Sequence, residues 1–167
     1  MPGKEKKKKN GPLSGQLPNL FLAAALAGAW LYASNGFYQY EYAYFSFRGL
    51  NVFPLAMWLW GLFLFYCLYL ALEERFLDKY RPGRSFWLRF LLYCGLYWIF
   101  LIALESFGYH VLGIRNVAAG GYPGLPFCDC IHAPSWMQAA YLMMGPLYFL
   151  LCEFRKFGQN LLSSAKV

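Results

Sequence analysis

Charge is scarce in this chain. Only 14% of its 167 residues are Asp, Glu, Lys or Arg, against about 25% in ordinary soluble domains. Histidine occurs twice, at His110 and His132. No glycine-rich phosphate loop, dinucleotide fingerprint, HExxH or Ser-His-Asp arrangement is present, so the common nucleotide-binding and hydrolytic motifs give no footing for a function. Charge is missing altogether from residues 20–38, 52–72 and 134–152. That argues against a relay of ionisable groups crossing a membrane, as an ion pump or proton channel requires.

Apolar surface fills the gap. Hydrophobic residues make up 59% of the chain and aromatics 22%, more than a soluble domain of this size can hide, and a bilayer is the natural solvent for it. Four runs approach the roughly 20 residues needed to cross about 30 Å of hydrocarbon. They are Leu20–Tyr38, Val52–Leu72, Phe86–Leu104 (with Arg89 near one end) and Pro134–Cys152. Such continuous runs are not the alternating pattern of barrel strands. The expected fold is an all-α membrane protein with four transmembrane helices in a domain over 20–157. A disordered basic tail over 1–19 precedes it and a short tail over 158–167 follows.

The first nine residues hold five lysines. With no folded basic surface beside them, they point to a solvated tail near anionic lipid and not to nucleic acid. A cleaved signal peptide fits poorly, because a long polar leader precedes the apolar run. Lysine and arginine placement sets the orientation. With four spans, all basic residues except Arg48 and Arg115 fall on one side. Both termini are therefore expected in the cytoplasm, in a plasma (inner) membrane, with segments 39–51 and 105–133 outside. Arg89 is expected to snorkel to the cytoplasmic side.

Three local features refine this picture. Ala24 and Gly28, and Ala25 and Ala29, are small residues four apart, which suits close helix packing within the chain or a contact with a second copy or a membrane partner. Gly145-Pro146 interrupts the fourth run and predicts a kink, with the freed carbonyl satisfied by a neighbouring helix. Tyrosines at 38, 40, 42 and 44 alternate, as in an aromatic belt or a short strand at the interface.

The polar groups gather on the outward side. Glu105 ends the third run, where an unpaired carboxylate is costly, and Arg115 is its expected basic partner. Tyr109, His110 and Asn116 lie nearby. The segment "PGLPFCDCIHAPSW" adds Cys128, Asp129, Cys130 and His132. Three readings of it compete. Thiolate and imidazole suit a zinc or copper ion at Cys128, Cys130 and His132, but in extended chain Cys128 and His132 stand about 13 Å apart, too far for Zn–S bonds of about 2.3 Å. A Cys128–Cys130 disulfide closes a very small ring, with the Cα separation expected at or beyond the usual upper range. A turn entering the fourth helix, with Pro134 in its first turn, needs no chemistry. A metal cofactor is thus possible but not favoured.

Two functions follow. One is a non-catalytic membrane component: a lipid- or carrier-binding protein or an accessory subunit. Its ligand is expected to be an anionic or isoprenoid lipid, with Arg115, Asn116 and Tyr109 binding and the positive end of the fourth helix nearby. The alternative is a small membrane enzyme acting on a lipid or isoprenoid at the outer face, with Glu105, His110, Asp129 and His132 as catalytic groups.

Overall fold

A computed structural model describes residues 16–40, 46–77 and 85–164. Most of the lysine-rich tail, Tyr42, Tyr44, Lys79, Arg81, Arg84 and Lys166 lie outside these residues. Among the described residues there are four long helices: α1 (Leu17–Ser34), α2 (Val52–Leu72), α3 (Phe86–Ser106) and α4 (Ser135–Ser164). α2 and α3 each end in a wider π-type turn, Glu73–Leu77 and Phe107–Val111. Among the described residues, three stretches are long and apolar enough to cross a membrane: Leu17–Phe37, Val52–Arg75 and Phe86–Val111. α4 is longer but more polar and is not among them, so the fourth expected span is not shown by length and composition.

Outward faces of the first three helices carry bare apolar side chains, among them Phe21, Leu64, Leu91 and Ile99, each more than half exposed. Water is a poor solvent for surfaces of that extent, and a lipid bilayer suits them.

The helices alternate in direction, as their side-chain bonds show. At one end, Arg89 of α3 pairs with Glu73 after α2 and with Glu153 of α4 (Nη1–Oε2 3.0 Å). Tyr66 of α2 donates to Glu153 at 3.0 Å, and Lys156 donates to the same carboxylate at 2.7 Å. Asn19, buried in the first turn of α1, accepts from Arg155 through its side chain and from Tyr148 through its carbonyl, both at 2.8 Å. The beginnings of α1 and α3 and the ends of α2 and α4 thus meet at this basic end. Arg89 does not simply snorkel outward. Two carboxylates hold it between helices, because burial makes any of these charges costly alone.

α4 does not stop at Cys152 as expected but continues to Ser164. The residues after Cys152 favour helix, and Glu153 with Lys156 forms an i,i+3 ion pair on its surface. The helix also runs through Gly145-Pro146. Proline frees the carbonyl four residues earlier, here Leu142, and Trp98 Nε1 of α3 donates to it at 2.8 Å. Tyr97 donates to the Tyr141 carbonyl at 2.7 Å. Gly145 is required at this crossing, since a Cβ there would run into the Tyr97 ring. Trp98→Phe is expected to cost about 1 kcal/mol, the upper part of the usual range for hydrogen bonds between membrane helices. In a Pro146→Ala background, where the helix supplies its own donor, the same change should cost little; thermal unfolding of the four proteins in the cycle checks this.

At the other end, a two-residue hairpin joins β1 (Ser46–Phe47) to β2 (Leu50–Asn51). Arg48 and Gly49 both take positive φ, 49° and 80°, as the tightest hairpin turn demands. Asn116 then fastens the segment after α1 to the segment after α3. Its side chain accepts from the Gln39 amide (2.8 Å) and donates to the Phe37 carbonyl (2.6 Å), while Val117 N–H donates to the Gln39 carbonyl.

Candidate functional site: an aromatic cavity beneath the CDCIH loop

A cavity of about 390 Å³ opens at the end opposite the charge cluster, within the range of small-ligand pockets, about 300–1,000 Å³. Two helical stripes build it. Pro54, Met57, Trp58, Gly61 and Leu62 line it from α2, at the i, i+3, i+4, i+7, i+8 spacing that keeps side chains on one helix face. Tyr97, Phe100, Leu101, Leu104 and Glu105 line it from α3 at similar spacing. Tyr38, Tyr40 and Tyr141 add phenol rings, and Ile131, His132 and Ala133 contribute from the loop.

The aromatic wall is held in place by its own polar tips. Trp30 Nε1 donates to the Tyr38 hydroxyl at 2.9 Å, and the Tyr38 and Tyr141 hydroxyls lie 2.6 Å apart. Trp58 and Tyr141 meet edge to face at 4.8 Å between centroids, a favoured geometry for such rings. Burial pushes the Tyr40 phenol above its ordinary range, and the nearby Tyr38 and Glu105 add to this, so Tyr40 is a neutral group at physiological pH.

Glu105 is partly buried on this wall. The expected Glu105–Arg115 pair does not form. Arg115 instead places its guanidinium 5.0 Å from the centroid of the Tyr109 ring, and it is not among the residues lining the cavity. Among the described residues, no hydrogen bond or ion pair reaches the Glu105 carboxylate.

The loop above is folded by left-handed residues. Asp129 and Ile131 have φ of 44° and 54°, a conformation that Asp tolerates and a β-branched Ile adopts only when its surroundings impose it. Here the chain turns back on itself: Cys128 and Asp129 N–H both donate to the Leu125 carbonyl, and Leu125 N–H donates to the Cys130 carbonyl. Gly124 passes so near that a Cβ would lie 2.9 Å from the Asp129 backbone. The turn brings the Cα atoms of Cys128 and Cys130 to 5.1 Å, and the two residues are joined by a disulfide. The expectation of an over-long Cα separation assumed extended chain and is corrected by the turn. The same bond corrects the metal reading of Cys128, Cys130 and His132, because disulfide sulfurs are not thiolate ligands. Among the described residues no cluster of three or more His, Cys, Asp or Glu side chains is placed to hold a metal ion.

No known family, curated protein or solved structure matches this chain.

Of the sequence-predicted site residues, the structure brings Glu105, Tyr109, Asn116 and His132 to the cavity. His132 stacks on Tyr109 at 4.6 Å, and its two ring nitrogens face the Tyr122 and Asp129 carbonyls at 3.0 and 3.1 Å. His110 Nε2 faces the Cys128 carbonyl at 3.0 Å. Asp129 is largely exposed, 3.4 Å from His132. His110, Asp129 and Arg115 therefore stand around the loop and not on the cavity wall. The two histidines brace its backbone. Sequence reasoning missed the wall itself, Trp58, Tyr97 and Tyr141 above all. The signal was available as the two helical stripes, one centred on Trp58 and the other ending at Glu105.

The disulfide gives a direct prediction. Denatured without reductant, the protein should titrate as three thiols, Cys67, Cys94 and Cys152, in a dithionitrobenzoate assay. Cys128→Ser/Cys130→Ser should lower stability by only about 1–2 kcal/mol, because so short a loop has little closure entropy to lose.

Proposed function

We propose that the protein is a small four-span membrane protein that binds a lipid or lipid-like carrier in an outward-facing cavity, with both termini in the cytoplasm. The observation that carries this reading is the cavity itself: a pre-formed aromatic pocket, roofed by a disulfide-closed loop, at the end of the bundle opposite the charge cluster. The alternating directions of the four helices support a fourth crossing by α4. The scarcity of basic residues beside the cavity supports an outward orientation, and so does the disulfide, which persists in oxidising compartments.

Topology and binding are tested together. Ser46→Cys should react with a membrane-impermeant maleimide on intact cells, and Gln159→Cys only after permeabilisation; the reverse pattern overturns the orientation. Native mass spectrometry of protein released from a bulky non-ionic detergent should show one retained lipid-sized adduct, and a bare chain under the gentlest release conditions would count against binding.

One observation favours a second reading, an enzyme acting on a lipid or isoprenoid. The Glu105 carboxyl lines the cavity with no bonded partner among the described residues, as a general acid or base awaiting substrate would. Under that reading, wild-type protein incubated with a membrane lipid extract changes one lipid's mass, and Glu105→Gln does not.

A further inference from the structure

The cavity has a charge character as well as a shape. Glu105 is the one carboxylate among the described residues of its wall. No lysine or arginine is among the described lining residues. Trp58, Tyr38, Tyr97 and Tyr141 surround the same space, with rings fixed by hydrogen bonds and edge-to-face contacts. Arg115 lies against the ring of Tyr109, a wall residue, but is not itself among the lining residues. Residues Ser135 and Trp136, at the positive end of α4, are also not among the lining residues. The two features that argued for an anionic headgroup are thus not part of the wall.

Aromatic rings attract cations through the negative faces of their π systems, most strongly where water is excluded, and cages of this kind recognise quaternary ammonium groups. In its ionised form, the Glu105 carboxylate on the same wall adds an opposite charge, and the low local dielectric strengthens the attraction. We propose that the cavity selects a cationic amphiphile, an amine or quaternary ammonium head carried on an apolar chain, with the head against Glu105 and the aromatic wall and the chain along the α2 and α3 stripes. This inference rests on the lipid-binding reading and names its ligand class.

The test is displacement of a photo-probe. The full-length protein, in a bulky non-ionic detergent at mildly alkaline pH, is labelled with a diazirine-bearing dodecyl glycoside, and the labelled peptides are mapped. Dodecyltrimethylammonium, dodecyl phosphate and dodecyl maltoside then compete with the probe. The expected result is displacement from cavity peptides at concentrations at least tenfold lower for the trimethylammonium compound than for the other two. Glu105→Gln should remove most of that advantage without abolishing labelling. Equal displacement by all three overturns the charge preference and leaves the lipid-binding cavity standing. Preference for the phosphate overturns the charge preference in the opposite sense. Failure of the probe to label the cavity in the wild-type chain overturns both. Should Glu105→Gln not fold, the order of the three competitors on wild-type protein decides alone.

Discussion

Replacing Arg89 with methionine lowers the stability of the folded bundle by about 3 kcal/mol, the lower end of the range for removing one member of a buried charge pair. The loss comes less from the missing attraction than from what is left behind. Glu73, with 8% of its side chain exposed, and Glu153, with 13%, both keep their carboxylates and lose the guanidinium between them. Lys156 still reaches Glu153, but no other cation is paired with Glu73 in the described structure. Arg89 keeps about a quarter of its side-chain surface exposed, which admits some water and keeps the cost from reaching the upper end of the range. The triple variant Arg89→Met/Glu73→Gln/Glu153→Gln should recover most of the loss, since no buried charge then stands alone. Thermal unfolding of the two variants beside wild type checks this. A cost below about 0.5 kcal/mol for Arg89→Met would show the cluster to be a solvated surface feature.

Gly61→Phe should fill the cavity and weaken amphiphile binding at least tenfold while leaving the protein as stable or more so. Gly61 lines the cavity from the middle of α2, and a Cβ built on it meets nothing within 4 Å. A larger side chain therefore enters empty space and does not collide with a neighbour. The helix gains as well, because a glycine in its interior costs about 0.5–1 kcal/mol relative to alanine. Few substitutions separate binding from folding so cleanly. Gly145 is the instructive contrast: the same kind of change there drives a Cβ into Tyr97, so Gly145→Phe should unfold the α3–α4 contact. Binding isotherms and melting temperatures of both variants check the pair.

The contrast between these glycines also shows how far the sequence could be read. The second apolar run, Val52–Leu72, is the α2 helix residue for residue, because nothing but continuous hydrophobicity was needed to see it. The third differs by two residues at its end. The fourth was cut short at Cys152, where apolar continuity ends but helix-forming residues go on. Glu105 stood out as a carboxylate after a long apolar run, and it does face a cavity. Its expected partner Arg115 did not join it, because sequence suggests which charges lie near one end of the bundle but not which contact each one takes, and Arg115 lies against the Tyr109 ring. The Glu73–Arg89–Glu153 cluster was hidden for a related reason. Its members come from three helices, and counting charges for orientation treated them as independent. In "CDCIH" the residue types were plain, but the left-handed turn at Asp129 and Ile131 was not. That turn separates an extended run, which can neither bridge nor chelate, from a closed disulfide loop.

We propose that this protein meets its ligand in the aromatic cavity between α2 and α3. The most direct test is the map of attachment sites left by a diazirine-bearing lipid on the wild-type protein in bilayer nanodiscs. Attachment concentrated on Met57, Phe100, Leu101 and Glu105, and absent from the same positions in Gly61→Phe, is the predicted result. Attachment confined to the outward faces of the helices, at Trp60, Leu64 and Ile99, with the cavity positions unlabelled, would contradict it.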